Sequence, residues 1–146
     1  MKMLPLLALA LCASCDGIPR DPDRTLDRVR AERQYRVGII ASGKPIGADR
    51  QRLFLNRVSA AAQAQPALET GAAEPLLAKL EEGELDLVLG PMAPHSPWSK
   101  MVIFLPPLGE QVTREGHIHL VAAARHGENA WITLLDAEAA KVTAIR

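Results

Sequence analysis

His117 and His119 stand two apart in a β-rich run, a spacing that lets both rings project from one face as an H-x-H metal pair, with His95 and His126 as further nitrogen ligands. No cysteine lies near them and no acidic residue stands at a recognisable ligand spacing, so the pair reads as two exposed strand histidines. Ser42, Ser96 and Ser99 offer hydroxyls that a histidine could activate, but none sits in the G-x-S-x-G elbow that would expose a nucleophile. Glu81, Glu82, Glu84 and Asp86 form an acidic cluster at a helix end followed by a strand, which reads as solvated surface rather than a pair of carboxylates for acid and base work. The glycines at 38, 43 and 47 fit neither of the glycine-rich phosphate loops. These residues therefore identify no enzyme, and they call for no cofactor and no metal.

The elements that must position such residues alternate. Residues 35–40, YRVGII, form a β-rich run, and residues 49–64 follow as a helix with Phe54, Val58, Ala61 and Ala62 at helical spacing, closed by Pro66. Residues 67–70 read as a weak second strand. EPLLAKLEEG reads as a helix with Pro75 in its first turn, Leu76, Leu77 and Leu80 inward and Gly83 closing it. LDLVLG, 85–90, is apolar enough for a strand covered on both faces. MVIFL, 101–105, and HIHLVAAA, 117–124, are a fourth and a fifth strand. A last helix from about Asn129 turns Trp131, Leu134, Leu135 and Val142 inward. Short strand-helix-strand spacings predict right-handed crossovers, so the fold class is α/β, a single three-layer lobe around a mostly parallel sheet of about five strands. Ahead of the first strand, TLDRVRAERQ predicts a short helix capped by Thr25, with Arg28, Arg30 and Arg33 on a solvated face.

The amino terminus decides where such a domain works. Lys2 is a short positive region, Leu4 to Leu11 an apolar run too short to span a bilayer, and Ala13 and Ser14 are small residues at which a signal peptidase could cut. This resembles the bacterial lipoprotein signal, which implies a signal peptide over 1–14 and lipid on Cys15. Cys12 is the alternative, with Leu9 three residues before it but bulky Leu11 at the cut. Asp16 resembles an inner-membrane retention signal of enteric bacteria, so the expected location is the periplasm, lipid-anchored, with a leaning to the inner membrane. DGIPRDPDR holds two prolines, a glycine and alternating charges, and residues 15–24 read as a tether ahead of one domain over 25–146. Cys12 and Cys15 are the only cysteines, so the domain has no disulfide framework. Lys plus Arg and Asp plus Glu both number 17, which leaves no global field for nucleic acid.

The strings TLDRVRAERQYRVGI and LLAKLEEGELDLVLGPM, then a strand ending in Pro106-Pro107 and the closing GENAWITLLDAEA, resemble the amino-terminal lobe of extracellular solute-binding proteins of the polar-amino-acid type. Such lobes are also found fused to some lytic transglycosylases. The resemblance places Leu80 and Gly83 in that family's leucine-bearing helix and its closing glycine, and Asp86 and Gly90 in the strand, opened by an aspartate, that reaches the ligand cleft. The resemblance implies a periplasmic-binding-protein-like fold and a small-molecule solute. Two departures limit it. Family members insert a second lobe of about a hundred residues after the fifth strand, whereas here 120–124 run straight into 125–128 and the last helix. Its amino-acid binders also clamp the ligand carboxylate with an arginine after the third strand, and PMAPHSPWSK, 91–100, has none.

In open α/β sheets ligands meet the carboxyl ends of the strands, which here include Ser42 and Lys44 and the proline-rich stretch from Gly90 to Trp98. Met92, His95 and Trp98 make that stretch either a rigid contact surface or a cover over the core. The expected function is a module that binds a small solute weakly or contacts a membrane transporter or envelope protein. The alternative is an accessory to, or remnant of, a cell-wall enzyme. The residues leave open whether two copies pair as a homodimer in place of the missing lobe.

Overall fold

The structure is a computed structural model that describes residues 21–43, 47–114 and 116–145, so the signal sequence, Cys12, Cys15 and Lys44 lie outside the described residues. Its elements run in the order α1 (Thr25–Glu32), β1 (Gln34–Ile40), α2 (Ala48–Ala62), β2 (Gln65–Gly71), α3 (Ala73–Glu81), β3 (Leu87–Met92), a 3-10 turn (Pro97–Lys100), β4 (Val102–Phe104), β5 (Gly109–Thr113), β6 (Gly116–Arg125) and α4 (Asn129–Thr143).

The six strands form one sheet in the order β2-β1-β3-β6-β4, with β5 also pairing β6. The first three strands are parallel, as their helical crossovers require. The other pairings are antiparallel, because the chain re-enters from the β4 and β5 side without a helix between. The sheet is thus mixed rather than mostly parallel, and it gains β5, whose residues carry no apolar alternation to announce it. β3 also runs two residues later than its sequence suggests: Pro91 and Met92 pair with Leu120 and His119, so the stretch after the third strand is loop only from Ala93.

Two apolar layers cover the sheet. On one face Phe54, Leu55 and Val58 of α2 and Trp131, Leu135 and Val142 of α4 meet Val37, Leu87, Leu89, Leu120 and Ala122. On the other, Leu76, Leu77 and Leu80 of α3 meet Ile40, Val88, Val121 and Ala123, the alternate residues of the same strands. Gly90 leaves room for Ile40 beside it on the neighbouring strand, since a Cβ there would stand 2.5 Å from that of Ile40. α3 ends as its sequence predicts, with Gly83 at φ 80° and the Glu84 N–H turned back to the Lys79 carbonyl. Pro66, by contrast, does not stop α2. Gln63 does, in the left-handed region, and Pro66 belongs to β2.

α1 corrects a second expectation. Thr25 is its first helical residue rather than its cap, and the orphan donors are met from across the fold: the buried Glu128 carboxylate accepts the N–H groups of Asp23 at 2.9 Å and Thr25 at 2.8 Å. Asp21 in turn accepts from the Ala130 N–H at the start of α4. The chain is therefore bonded to the domain from Asp21, inside the stretch that reads as tether.

Candidate functional site: a cleft at the carboxyl ends of the parallel strands

The parallel strands give the sheet two unlike ends. At their carboxyl ends the chain leaves β1 at Ala41 and Ser42, the Ala41 N–H reaching the Gly71 carbonyl at the end of β2. α2 returns beside them, so its first turns stand over the same end. Between α2 and the sheet lies a hollow of about 640 Å³ that runs along β2, floored by Ile39, Pro66, Leu68 and Thr70, walled by Gln51, Leu55 and Asn56 of α2, and bounded at the carboxyl ends of β1 and β3 by Ser42 and Pro91. Its lining is mostly apolar, with hydroxyl and amide groups and Arg52 at the margin, a composition that suits a small ligand with an apolar body. Leu68 is 58% exposed there, more than almost any other large apolar side chain of the described residues.

At the amino ends of the strands the polar groups are already taken. Asp86, which the sequence reads as solvated surface, is 4% exposed. Its carboxylate accepts the Arg36 N–H at 2.8 Å and the Arg36 guanidinium at 2.7 and 3.2 Å, and it also pairs with Arg28. The hydrogen bond to Asp86 raises the Arg36 pKa above its ordinary value. The Asp86 carbonyl accepts from the Trp131 indole at 2.7 Å, and Trp131 meets Tyr35 edge to face at 5.7 Å. Burial pushes the Tyr35 phenol up, partly offset by its hydrogen bond with Ser59. This end is a knot that ties α1, β1, β3 and α4 together, and the buried carboxylates of Asp86 and Glu128 both have donors. Asp86, directly flanked by Leu85 and Leu87, and the arginines at 28 and 36 were its signals in the sequence.

The expected site residues divide between the two faces of the sheet. Ser42 lines the cleft. Met92 is buried in the α3-side core, Trp98 is half-buried against the same cluster, and His95 is exposed on the loop between them. Ser96 spends its hydroxyl on the Trp98 N–H at the start of the 3-10 turn. His117 and His119 share one face of β6 with Glu110 of β5, which stands opposite His119, contacts His117 and lies 3.7 Å from His119. That hydrogen bond from His117 lowers the Glu110 pKa. Among the described residues no group of three such side chains is arranged to hold a metal ion.

No family model matches the chain, and no curated protein matches it. Solved structures do. Domain 1 of TmArgBP in its arginine-bound form, as a single-site mutant, superposes with a TM-score of 0.68 at 14% identity, covering 82% of this chain and 99% of that one. An arginine-specific periplasmic binding protein of Salmonella typhimurium gives 0.61 at 12% identity over 76% of this chain and 93% of that one. An ancestral cationic amino-acid solute-binding protein gives 0.66 at 11% identity over 82% and 94%. The fold is that of one lobe of a periplasmic binding protein. In this periplasmic-binding-protein-like lobe β6 leads through Arg125, His126 and Gly127 directly into α4, and the loop after β3 carries no arginine. The arginine nearest the cleft is instead Arg52 of α2, 3.0 Å from Asp49. Among the described residues no helix is long and apolar enough to cross a membrane.

Proposed function

We propose that the protein is an envelope-anchored solute-binding-like module whose open cleft takes a small solute weakly. The observation that carries this reading is the hollow between α2 and β2, which runs along β2 from Pro66 and reaches the carboxyl ends of β1 and β3 at Ser42 and Pro91, the end at which ligands meet open α/β sheets. α2 starts there at Ala48 with no side chain among the described residues capping its first turn, and Arg52 follows one turn later. The first-turn N–H groups favour an acceptor at the margin, where Arg52 is shared with Asp49, with the apolar body of the ligand over Ile39 and Leu68. A cleft with one lobe leaves much of a ligand in water, whereas tight sites bury roughly 70 to 90 percent of it, so free amino acids bind no tighter than about millimolar. Calorimetric titration of the common amino acids into the purified protein tests this, and micromolar affinity for any of them contradicts it.

Anchoring rests on the leader and Cys15. Attached acyl chains contribute about 0.8 kcal/mol per buried CH₂, enough to hold the domain at a membrane surface where a transporter or another envelope protein is within reach. Cys15→Ser should leave the protein unprocessed or release it from the membrane fraction. Identical fractionation and processing of wild type and variant would refute the anchor.

A further inference from the structure

β2 ends the sheet, and its outer edge has no strand beside it among the described residues. Which groups that edge presents follows from its pairing with β1. The Gln65 N–H donates to the Arg33 carbonyl and the Gly71 carbonyl accepts from the Ala41 N–H, so odd-numbered residues of β2 turn their backbone groups toward β1. Leu68 and Thr70 therefore turn N–H and C=O outward, and Pro66 turns out a carbonyl alone. This is a short row of alternating donors and acceptors, and its complement is an antiparallel copy of itself.

From this edge we infer that two copies of the chain join β2 to β2 about a two-fold axis through Glu69, extending one sheet through both. In that register Leu68 lies opposite the partner's Thr70, and the pair exchanges both backbone bonds on each side of the axis. Three further features fit a second copy rather than another partner. Leu68, 58% exposed, faces the partner's Thr70 and is a diagonal neighbour of the partner's Leu68 on the face shared by both α2 helices, so the apolar surface is self-complementary. Glu69 on the opposite face meets its own equivalent, which would repel but for Lys79 of α3, held 2.8 and 3.1 Å from the Glu69 carboxylate. Two carboxylates and two ammonium groups then alternate around the axis with no net charge. The buried side chains of α2 and α3 cluster with β1 and β3, and no residue of β2 belongs to either cluster, so both helices are anchored inward from the edge. The competing edge is poorer: β4 has three residues and runs into Pro106-Pro107, and β5 carries exposed Glu110 and Gln111. The pairing stands on the strand edge alone, whether or not the cleft binds solute. It also extends the floor of the open cleft beyond Leu68 onto the partner's strand.

The test uses the full chain with Cys12→Ser and Cys15→Ser, which removes both native thiols. Residues facing each other across the axis in a non-hydrogen-bonded pair stand about 4.5 Å apart at Cα, within disulfide reach, whereas two Ala67 positions lie about 13 Å apart. Mild oxidation should therefore convert most of the Glu69→Cys chain to a covalent dimer and leave Ala67→Cys monomeric. Sedimentation of the parent should give a dimer. Leu68→Lys, an exposed change that leaves the fold intact, should weaken it at least about tenfold, and Thr70→Pro, which removes an outward N–H, should do the same. A parent that stays monomeric at about 100 μM, or equal cross-linking at 67 and 69, overturns the inference.

Discussion

The two ends of the sheet differ in what their side chains have left to do. At the amino ends of β1 and β3, Asp86 is surrounded by donors from Arg28 and Arg36, Trp131 is bonded to its carbonyl, and Glu128 meets the N–H groups at the start of α1. At the carboxyl ends, Ile39, Leu68 and Thr70 floor a hollow whose apolar surface still faces water. The first end has its charges matched and its aromatic ring buried, so it contributes stability and offers a ligand little. The second contributes little to stability, so its surface is available for binding or assembly. The contrast teaches that polar character alone does not mark a site: at the charged end Asp86 and Glu128 already hold donors from their own chain, and at the other end the apolar lining has no such partner.

Trp131→Ala should break the closed end most severely. It removes a ring that is 1% exposed, its contact with Tyr35 and its hydrogen bond, for a loss of about 4 kcal/mol in urea unfolding. Leu68→Ala in the open cleft should change stability by less than about 0.5 kcal/mol. If the two losses are similar, the division of labour between the ends is wrong. Asp86→Asn ranks next, at about 3 kcal/mol, because it leaves Arg28 and Arg36 around a group that no longer carries charge. The same unfolding experiment on Asp86→Asn with Ser42→Ala as its counterpart sharpens the comparison. Glu128→Gln should cost about 1 kcal/mol through the α1 amino terminus, read as a lower melting temperature with unchanged helix content.

Most of the layering was legible in the sequence, because it depends on periodicity. Phe54 and Val58, Leu76 and Leu80, and Trp131 and Leu135 stand at helical spacing and occupy the cores that spacing assigns them. What was not legible depends on contacts between distant residues. Asp86 has three acidic neighbours in the chain and looks like surface, yet its partners Arg28 and Arg36 arrive from fifty or more residues away. Glu128 caps a helix that begins a hundred residues earlier. The cleft residues failed for the opposite reason. Gln51, Pro66 and Leu68 are unremarkable in type, and only the return of α2 beside β2 makes them a lining, while Met92 and Trp98, conspicuous in the chain, are drawn into the other face.

The smallest expected effect lies on the β5–β6 ribbon. The Glu110 carboxyl is held below its ordinary value first by its hydrogen bond with His117. A group lowered in the folded state stabilises above its unfolded pKa and loses that contribution as pH falls through the lowered value. Melting temperatures taken downward through the carboxylate range should therefore fall slightly less for Glu110→Gln than for the wild type. An identical acid limb would remove Glu110 from the account.

The open end is tested most directly by following backbone amide resonances of the isotope-labelled protein during titration with small anionic solutes, the common amino acids among them. The expected result is a weak, saturable shift, with a dissociation constant of about a millimolar or more, confined to residues 39–42, Gln51, Arg52, Leu68 and Thr70. Shifts centred on Arg28, Arg36 and Asp86, with the cleft resonances unmoved, would contradict it.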